Sequence, residues 1–368
     1  MQRDMHYSAV YVLARLAGIK RESAQLIAKA SEFVDDSRES KLFKLPTGHR
    51  VDIITTAHAP VNVKNILSSD QRYIWVPFHF IPGNLGETVE ERMICRKDSE
   101  IAKSVLERYF EEYHKERFGL QYLGIALHIY MDTFSHYGFS GIKSDSNHIQ
   151  HSDIEIINRD EINQHYQERF QYYNGLKKFF TKIGHQLEKK VESVAEIVGE
   201  KTGAIGHSAA GHLPDFPYMS WRYKTLSQGK IEIHERNNTQ DYLEACEKVF
   251  EIFLRFRMSC PEMCEEQIIT DFNSIKSDVL AILSSPGRLI LRIRMWKELL
   301  EKYSVLSDET VDWKSRNLKL AFSLQLEEMM NENLDLGSLV LYQFYQAAHL
   351  AQVVILRRIL PSHELYVV

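Results

Sequence analysis

Apolar residues recur at helical spacing from near the start of the chain. Val10, Leu13, Leu16, Ala17, Leu26, Ile27 and Ala30 trace one face, interrupted at Gly18-Ile19. That period predicts two short helices joined by a turn over residues 7–34. The pattern dissolves over 37–84, where Pro46, Pro60, Pro77 and Pro82 stand among glycines. A long irregular region is expected there, with one short strand over 51–55. A loop of that length inside a compact domain is usually functional. Helical periodicity returns over 99–114, 119–137, 153–170 and 176–210, the last closed by Pro214 and Pro217. A polar stretch covers 228–239, and about four or five further helices are expected from 241 to 360. The expected fold class is mainly α, a multi-helix bundle, with no internal repeat.

Residues 336–356 carry no charged side chain and are almost long enough for a membrane span. Gln343, Gln346, His349 and Gln352 nevertheless recur every three residues and form a polar stripe. A buried helix with one polar face fits that pattern better than a lipid-facing one.

Composition narrows the classes. With 368 residues the chain admits one large domain or two closely packed ones, and 44% hydrophobic content supplies a large core. The formal charge of −5 and the lack of any Lys/Arg-rich run argue against a broad nucleic-acid-binding surface. The start, Met1-Gln-Arg-Asp-Met-His6, has no apolar run after a basic stretch, so no secretion signal is expected and a cytoplasmic location is. Cys95, Cys246, Cys260 and Cys264 then read as reduced thiols, and no second pair answers Cys260-x-x-x-Cys264 to make a zinc site.

The 16 histidines change the picture, because many fall in apolar, helix-patterned segments. In Leu123-Gly-Ile-Ala-Leu-His128-Ile-Tyr-Met-Asp132-Thr-Phe-Ser-His136, three ligand-type residues stand at i, i+4 and i+8. Each step of four turns a helix by about 40°, so all three share one face of an otherwise apolar element. Burying them is costly unless something pairs with them, and metal ions would satisfy all three. His128 and His136 would lie roughly 12 Å apart along the axis, too far for one ion. Asp132 between them can bridge, which suggests two or more metals. Core histidines held by hydrogen bonds are the plain alternative. Further candidates are Asp4 and His6 before the first helix, Asp35 and Asp36 at the end of the second, His79 in an apolar loop, and His207 with Asp215 around a helix end. His58 and His212 are weaker, the latter at most a supporting group.

Together these segments resemble the superfamily of zinc-dependent phospholipases C and single-strand nucleases, nearest to an uncharacterised, mostly bacterial intracellular branch. The likeness rests on Asp4-Met-His6-Tyr7, on Ala30-Ser-Glu-Phe-Val-Asp35-Asp36, on Phe78-His79-Phe80, and on His128-x3-Asp132 with His136, His207 and Asp215. It spans about residues 1–225, leaving 226–368 as a C-terminal helical part packed on a metal-binding core. The resemblance implies an all-helical fold and a cluster of two or three metal ions, usually zinc, that cleaves phosphoesters with metal-activated water. It also implies His6, Asp35, His79, His128 and Asp132 around the first ions, and His136, His207 and Asp215 around the remaining one. Asp35 or Asp36 would orient the attacking water, and Arg222 and Arg236 would contact phosphate. Secreted members begin with a Trp whose amino group binds metal; Met1 stands here instead, with Asp4 as the expected substitute.

The expected substrate is a phosphoester of lipid, nucleotide or nucleic acid. A nuclease needs stacking platforms, for which Tyr122, Tyr130, Tyr137, Trp75 and Trp221 are candidates. A phospholipase needs an apolar approach surface, with peripheral membrane contact through the C-terminal helix. Two other classes compete. Gly206-His-Ser208-Ala-Ala210 lacks the final glycine of a serine-hydrolase elbow. A non-catalytic interaction module with structural ions is the stronger rival.

Overall fold

The apolar run expected as a helix over 119–137 is one, and the other elements are arranged around it. A computed structural model describes residues 1–38, 42–44, 50–58, 68–149, 153–170, 205–227, 230–266, 269–303, 337 and 339–367. The protein is mainly α-helical. Helix α1 covers residues 4–16, π-wound over Asp4–Ala9 and α-helical over Val10–Leu16. It turns into α2, Arg21–Asp36. Strands β1 (Leu42–Lys44) and β2 (Arg50–Asp52) pair antiparallel. Helix α3, residues 68–78, is a run of three pieces, Ser68–Asp70, Gln71–Trp75 and Val76–Phe78. Much of the region expected to be irregular is therefore regular. Pro77 did not prevent a helix because it stands in the first turn of the last piece, where a missing N–H is tolerated. Residues 39–41, 45–49 and 59–67 of that region lie outside the described residues.

Helix α4 (Val89–Arg92) opens with a reciprocal cap between Thr88 and Glu91. Helix α5, residues 100–113, comprises Glu100–Arg108 and a π-wound turn Tyr109–Tyr113. The central helix α6 is Gly119–His136. The helix expected over 153–170 starts later, as α7 (Arg159–Phe170), because β3 (Glu155–Ile156) precedes it. Most of the helix expected over 176–210 lies outside the described residues; its end is a 3₁₀ turn, Ser208–Ala210. Strands β4 (Ser220–Ser227) and β5 (Lys230–Asn237) follow, then α8 (Asn238–Ser259), α9 (Lys276–Leu283) and α10 (Leu289–Lys302). Helix α11, residues 340–362, joins Val340–Val354, Ile355–Ile359 and Leu360–Ser362.

The antiparallel sheet β3-β4-β5 replaces the expected polar loop. Trp221 and Tyr223 of β4 face inward, paired with Arg236 and His234 of β5. Ile231 and Ile233 of β5 point outward and are exposed. The strand's polarity is inverted, with polar side chains inside, so its sequence reads as a loop.

Helix α6 is buried almost all round, which explains its continuous apolar sequence. Its closest neighbour is α2. A Cβ on Gly124 would lie 2.4 Å from the Ile27 carbonyl oxygen and 2.7 Å from the Ala30 Cβ, so only glycine admits this approach. One continuous core runs from Met1 and Met5 through α6 and α8 to Ile359 and Leu365, drawing on both sides of residue 225. A smaller cluster, including Phe80, Phe139, Trp221 and Tyr223, lies beside the sheet. In α11, Gln343 accepts from Gln121 Nε2 at 2.8 Å, while Leu341, Phe344, Ala348 and Ala351 are buried. Among the described residues no helix is long and apolar enough to cross a membrane.

Candidate metal centre

The close approach of α2 and α6 places the carboxyl end of α2 beside His128, one turn beyond Gly124. His128 Nδ1 donates to the Ser31 carbonyl at 2.8 Å. A carbonyl only accepts, so the proton is on Nδ1, and Nε2 carries a lone pair. The same device recurs three times. His79, at the end of α3, donates from Nε2 to the Thr56 carbonyl (2.9 Å), leaving Nδ1 bare. His136 donates from Nδ1 to the His79 carbonyl (2.8 Å), and His207 from Nδ1 to the Gly211 carbonyl (2.9 Å). Each imidazole is fixed by one nitrogen and turns the other toward a carboxylate.

Those free nitrogens converge. Asp132 Oδ2 lies 3.2 Å from both His79 Nδ1 and His128 Nε2. The two bare nitrogens are 3.3 Å apart, so two lone pairs face each other unless a cation stands between them. Asp132 Oδ1 lies 3.1 Å from His6 Nε2 and 2.9 Å from the Met1 amino nitrogen. His6 stacks on His128 with ring centroids 3.9 Å apart. Asp35 approaches His79 Nδ1 at 3.8 Å and His128 Nε2 at 4.0 Å. At the far end, Asp215 Oδ1 sits 3.6 Å from His136 Nε2, 3.7 Å from His207 Nε2 and 3.5 Å from the Met1 nitrogen. Among the described residues three donor sets result, each with ligand atoms within 4.8 Å of one another: His6, Asp35 and His128; His79, His128 and Asp132; His136, His207 and Asp215.

The electrostatics ionise the carboxylates and hold the His6 and His207 imidazoles neutral. Burial opposes the charge of Asp132, but His136, the Met1 amino group, His128 and His6 outweigh it and hold its carboxyl well below the usual range. Burial likewise opposes the charge of Asp215, which His207 and the Met1 amino group hold down. Asp35 is lowered against burial by His128, His6 and His79. Burial pushes His6 down to about 3 and His207 to about 4. Burial disfavours the Met1 ammonium, yet Asp132, Asp215 and Asp35 raise it to about 11. At His6 and His207 a neutral imidazole beside an ionised carboxylate is the form that binds metal.

Not every candidate joins the cluster. Asp4 does not substitute for an amino-terminal ligand: its Oδ2 lies 2.5 Å from Arg292 Nε in a buried ion pair, and the Met1 nitrogen itself faces Asp132. Asp36, one residue past Asp35 and so turned about 100° round the helix, faces Arg3 at 3.6 Å. Arg222 pairs with Glu155 on the sheet surface. Arg236 is buried, donating to the Ser135 and Tyr137 carbonyls (2.8 and 3.0 Å) and stacking on Tyr137. A cation at the carboxyl end of α6 suits the helix dipole and fixes the backbone on both sides of His136. His212 supports Asp215 from Nδ1 at 3.4 Å. His58 pairs with Asp70 at 2.7 Å and belongs to none of the three donor sets. Tyr122, Tyr130 and Trp221 are core residues, whereas Trp75 lies beside His79, with ring centroids 5.2 Å apart.

Sequence reasoning did not find the Met1 nitrogen, Arg292 or the four carbonyls that orient the rings. Carbonyls leave no sequence signal, since every residue has one.

Fold and site together define a helical protein with a buried histidine–carboxylate cluster whose side chains could hold metal ions. The chain belongs to a family of unknown function, DUF6765, whose model matches residues 1–359. No curated protein and no solved structure matches it.

Proposed function

We propose that the protein is a metal-dependent hydrolase of phosphoric esters, with two or three ions, zinc first among the candidates, at the histidine–carboxylate cluster. One observation carries the reading. Four imidazoles, His79, His128, His136 and His207, are each oriented by a backbone carbonyl and aim a bare nitrogen at Asp132 or Asp215. Metal-ligating histidines are ordered in this way by an outer partner. Packed core histidines have no need to bring bare nitrogens together at 3.3 Å.

His79, His128 and Asp132 would hold one ion, and His136, His207 and Asp215 another. His6, with Asp35 and His128, would provide donors for a third. Bound there, divalent ions supply Lewis-acid activation of water and stabilise charge on a phosphoryl group. Asp132, with Oδ2 toward His79 and His128 and Oδ1 toward His6, would link two of these donor sets. Asp35, whose side chain is 33% exposed, is the carboxylate that reaches both the cluster and solvent, and would orient the attacking water and accept its proton. The resemblance to the zinc-dependent phospholipase C and nuclease superfamily supports both the chemistry and the corresponding helical fold.

The test is metal analysis of protein purified without a metal-affinity tag, followed by hydrolysis of a generic bis-aryl phosphodiester. Two or three equivalents of zinc, with turnover abolished by EDTA, are expected. Full metal occupancy without turnover on any phosphoester would leave a structural role for the ions and end the hydrolase reading.

A further inference from the structure

The Arg292–Asp4 ion pair is nearly solvent-free, with Arg292 1% and Asp4 0% exposed. Arg292 belongs to α10, and every arm of its guanidinium is used. Nε meets Asp4 Oδ2 at 2.5 Å, Nη2 meets Gln2 Oε1 at 2.5 Å, and Nη1 meets the Gly287 carbonyl at 2.9 Å. Gln2 and Asp4 flank Arg3, which is tied to Glu32 of α2 at 2.7 Å. Gln2, Arg3 and Asp4 are thus gripped from two sides, where the π-wound turn that carries His6 begins.

A buried ion pair is poor evidence for stability, because an apolar pair of equal volume usually serves as well or better. An apolar pair fills space but does not set an angle. A planar guanidinium fork with three satisfied arms does. What lies within two residues of Asp4 is His6, whose Nε2 must meet Asp132 Oδ1 at 3.1 Å.

We propose that Arg292 is a positioning residue for the ion on the His6 side of the cluster, so that the C-terminal part of the chain sets where the N-terminal segment delivers its donors. This rests on the metal-cluster reading above. The fork orients the Gln2–Asp4 backbone, and the backbone fixes the direction of His6. Donors of the other two sets come from α3, α6 and the turns before β4; Arg292 hydrogen-bonds none of these, and meets the last only through the Tyr218 ring, 5.4 Å from its guanidinium.

The test uses the full-length chain and zinc, with affinities read by competition against a chromophoric chelator. Three variants are compared with wild type: Asp4→Leu/Arg292→Met, Arg292→Lys, and His6→Ala as the reference for loss on that side. The double variant is expected to unfold in EDTA within a few degrees of wild type. It should nevertheless bind one equivalent at least about 10-fold more weakly, the same equivalent that His6→Ala weakens. Arg292→Lys keeps the charge without the fork and should show the same selective loss, which covers the case of a double variant that does not fold. Unchanged affinity for every equivalent in Arg292→Lys, or uniform weakening of all of them, would overturn the proposal. Wild-type protein that binds no divalent ion would overturn the cluster reading itself, a distinguishable result.

Discussion

The two ends of the cluster are built from different materials. At one end His6, Asp35, His128 and Asp132 stand on helices α1, α2 and α6, and His79 closes α3. Their spacing follows from helix geometry and from the contact at Gly124. At the other end His207 and Asp215 stand around two 3₁₀ turns, Ser208–Ala210 and Leu213–Asp215. Hydrogen bonds hold that end. Ser135 Oγ donates to the Pro214 carbonyl at 2.9 Å and Tyr242 donates to it at 2.8 Å, which fixes the residue before Asp215. His136, last residue of α6, joins the halves. Side-chain exposure is 1% for Asp132 but 14% for Asp215 and 16% for His207. Donors on packed helices are set by the whole core, whereas donors on turns depend on a few local bonds and can be lost without the rest.

The sharpest way to break that contrast is to remove one ligand from each half. Asp132 contacts donors in both halves, so Asp132→Ala should abolish binding of at least two equivalents of zinc, a loss of more than about 100-fold in affinity. His207→Ala should cost one equivalent and spare those bound by the helical half. Metal content after dialysis reads both. Equal losses from the two variants would mean that the halves are not separable.

How far each half can be read from sequence follows from the same contrast. Helical periodicity makes His128, Asp132 and His136 legible as one face, and an imidazole in the apolar Phe78-His79-Phe80 segment is conspicuous. Spacing says nothing about His207 and Asp215, eight residues apart, because the reversal at Gly211, with φ 58, brings them together. Nor can composition decide between Asp35 and Asp36, since the facing of α2 is set by its contact with Gly124 of α6. Arg292 stands 288 residues from Asp4, and nothing in either neighbourhood announces the pair. Arg236 looks like a phosphate ligand only until the inverted polarity of β5 is known.

A second test sharpens the comparison through pH. In metal-free protein, burial lowers His6 to about 3 and His207 to about 4 from the ordinary 6.5. The unfolded chain therefore binds more protons than the folded one below pH 6.5. Stability from these residues is complete above that pH and falls as pH drops toward about 4, by about 1.4 kcal/mol per unit for each group. Between pH 6.5 and 5 that is roughly 2 kcal/mol per histidine. The Met1 amino group, raised to about 11, acts oppositely: its contribution is complete below pH 8 and fades between 8 and 11. Glu32, which burial raises to about 8, opposes the histidines between pH 4.5 and 8, so their share is read as the difference in urea midpoint in EDTA between wild type and each histidine variant. Replacing His207 with Asn should flatten the acid limb less than replacing His6 does, because His207 has the smaller shift. Wild type that gained stability relative to either variant from pH 6.5 to 5 would contradict burial as the dominant influence on that histidine.

The smallest effect probes the helical half at its root. In Gly124→Ala the added Cβ would meet the Ile27 carbonyl oxygen at 2.4 Å, and a backbone oxygen in mid-helix cannot rotate away. Helices α2 and α6 must separate, at a cost of about 1–3 kcal/mol. Alanine's better helix propensity offsets up to about 1 kcal/mol of that. A net destabilisation of about 1–2 kcal/mol should appear in the urea midpoint in EDTA. Separation also lengthens the bond from His128 to the Ser31 carbonyl, now 2.8 Å, and withdraws Asp35 from His128. Zinc affinity on the helical side should therefore weaken while the equivalent held by His136, His207 and Asp215 is unchanged. If Gly124→Ala lowered stability but left every zinc affinity as in wild type, the helix contact would serve the core alone, and the ring orientation would have to come from elsewhere.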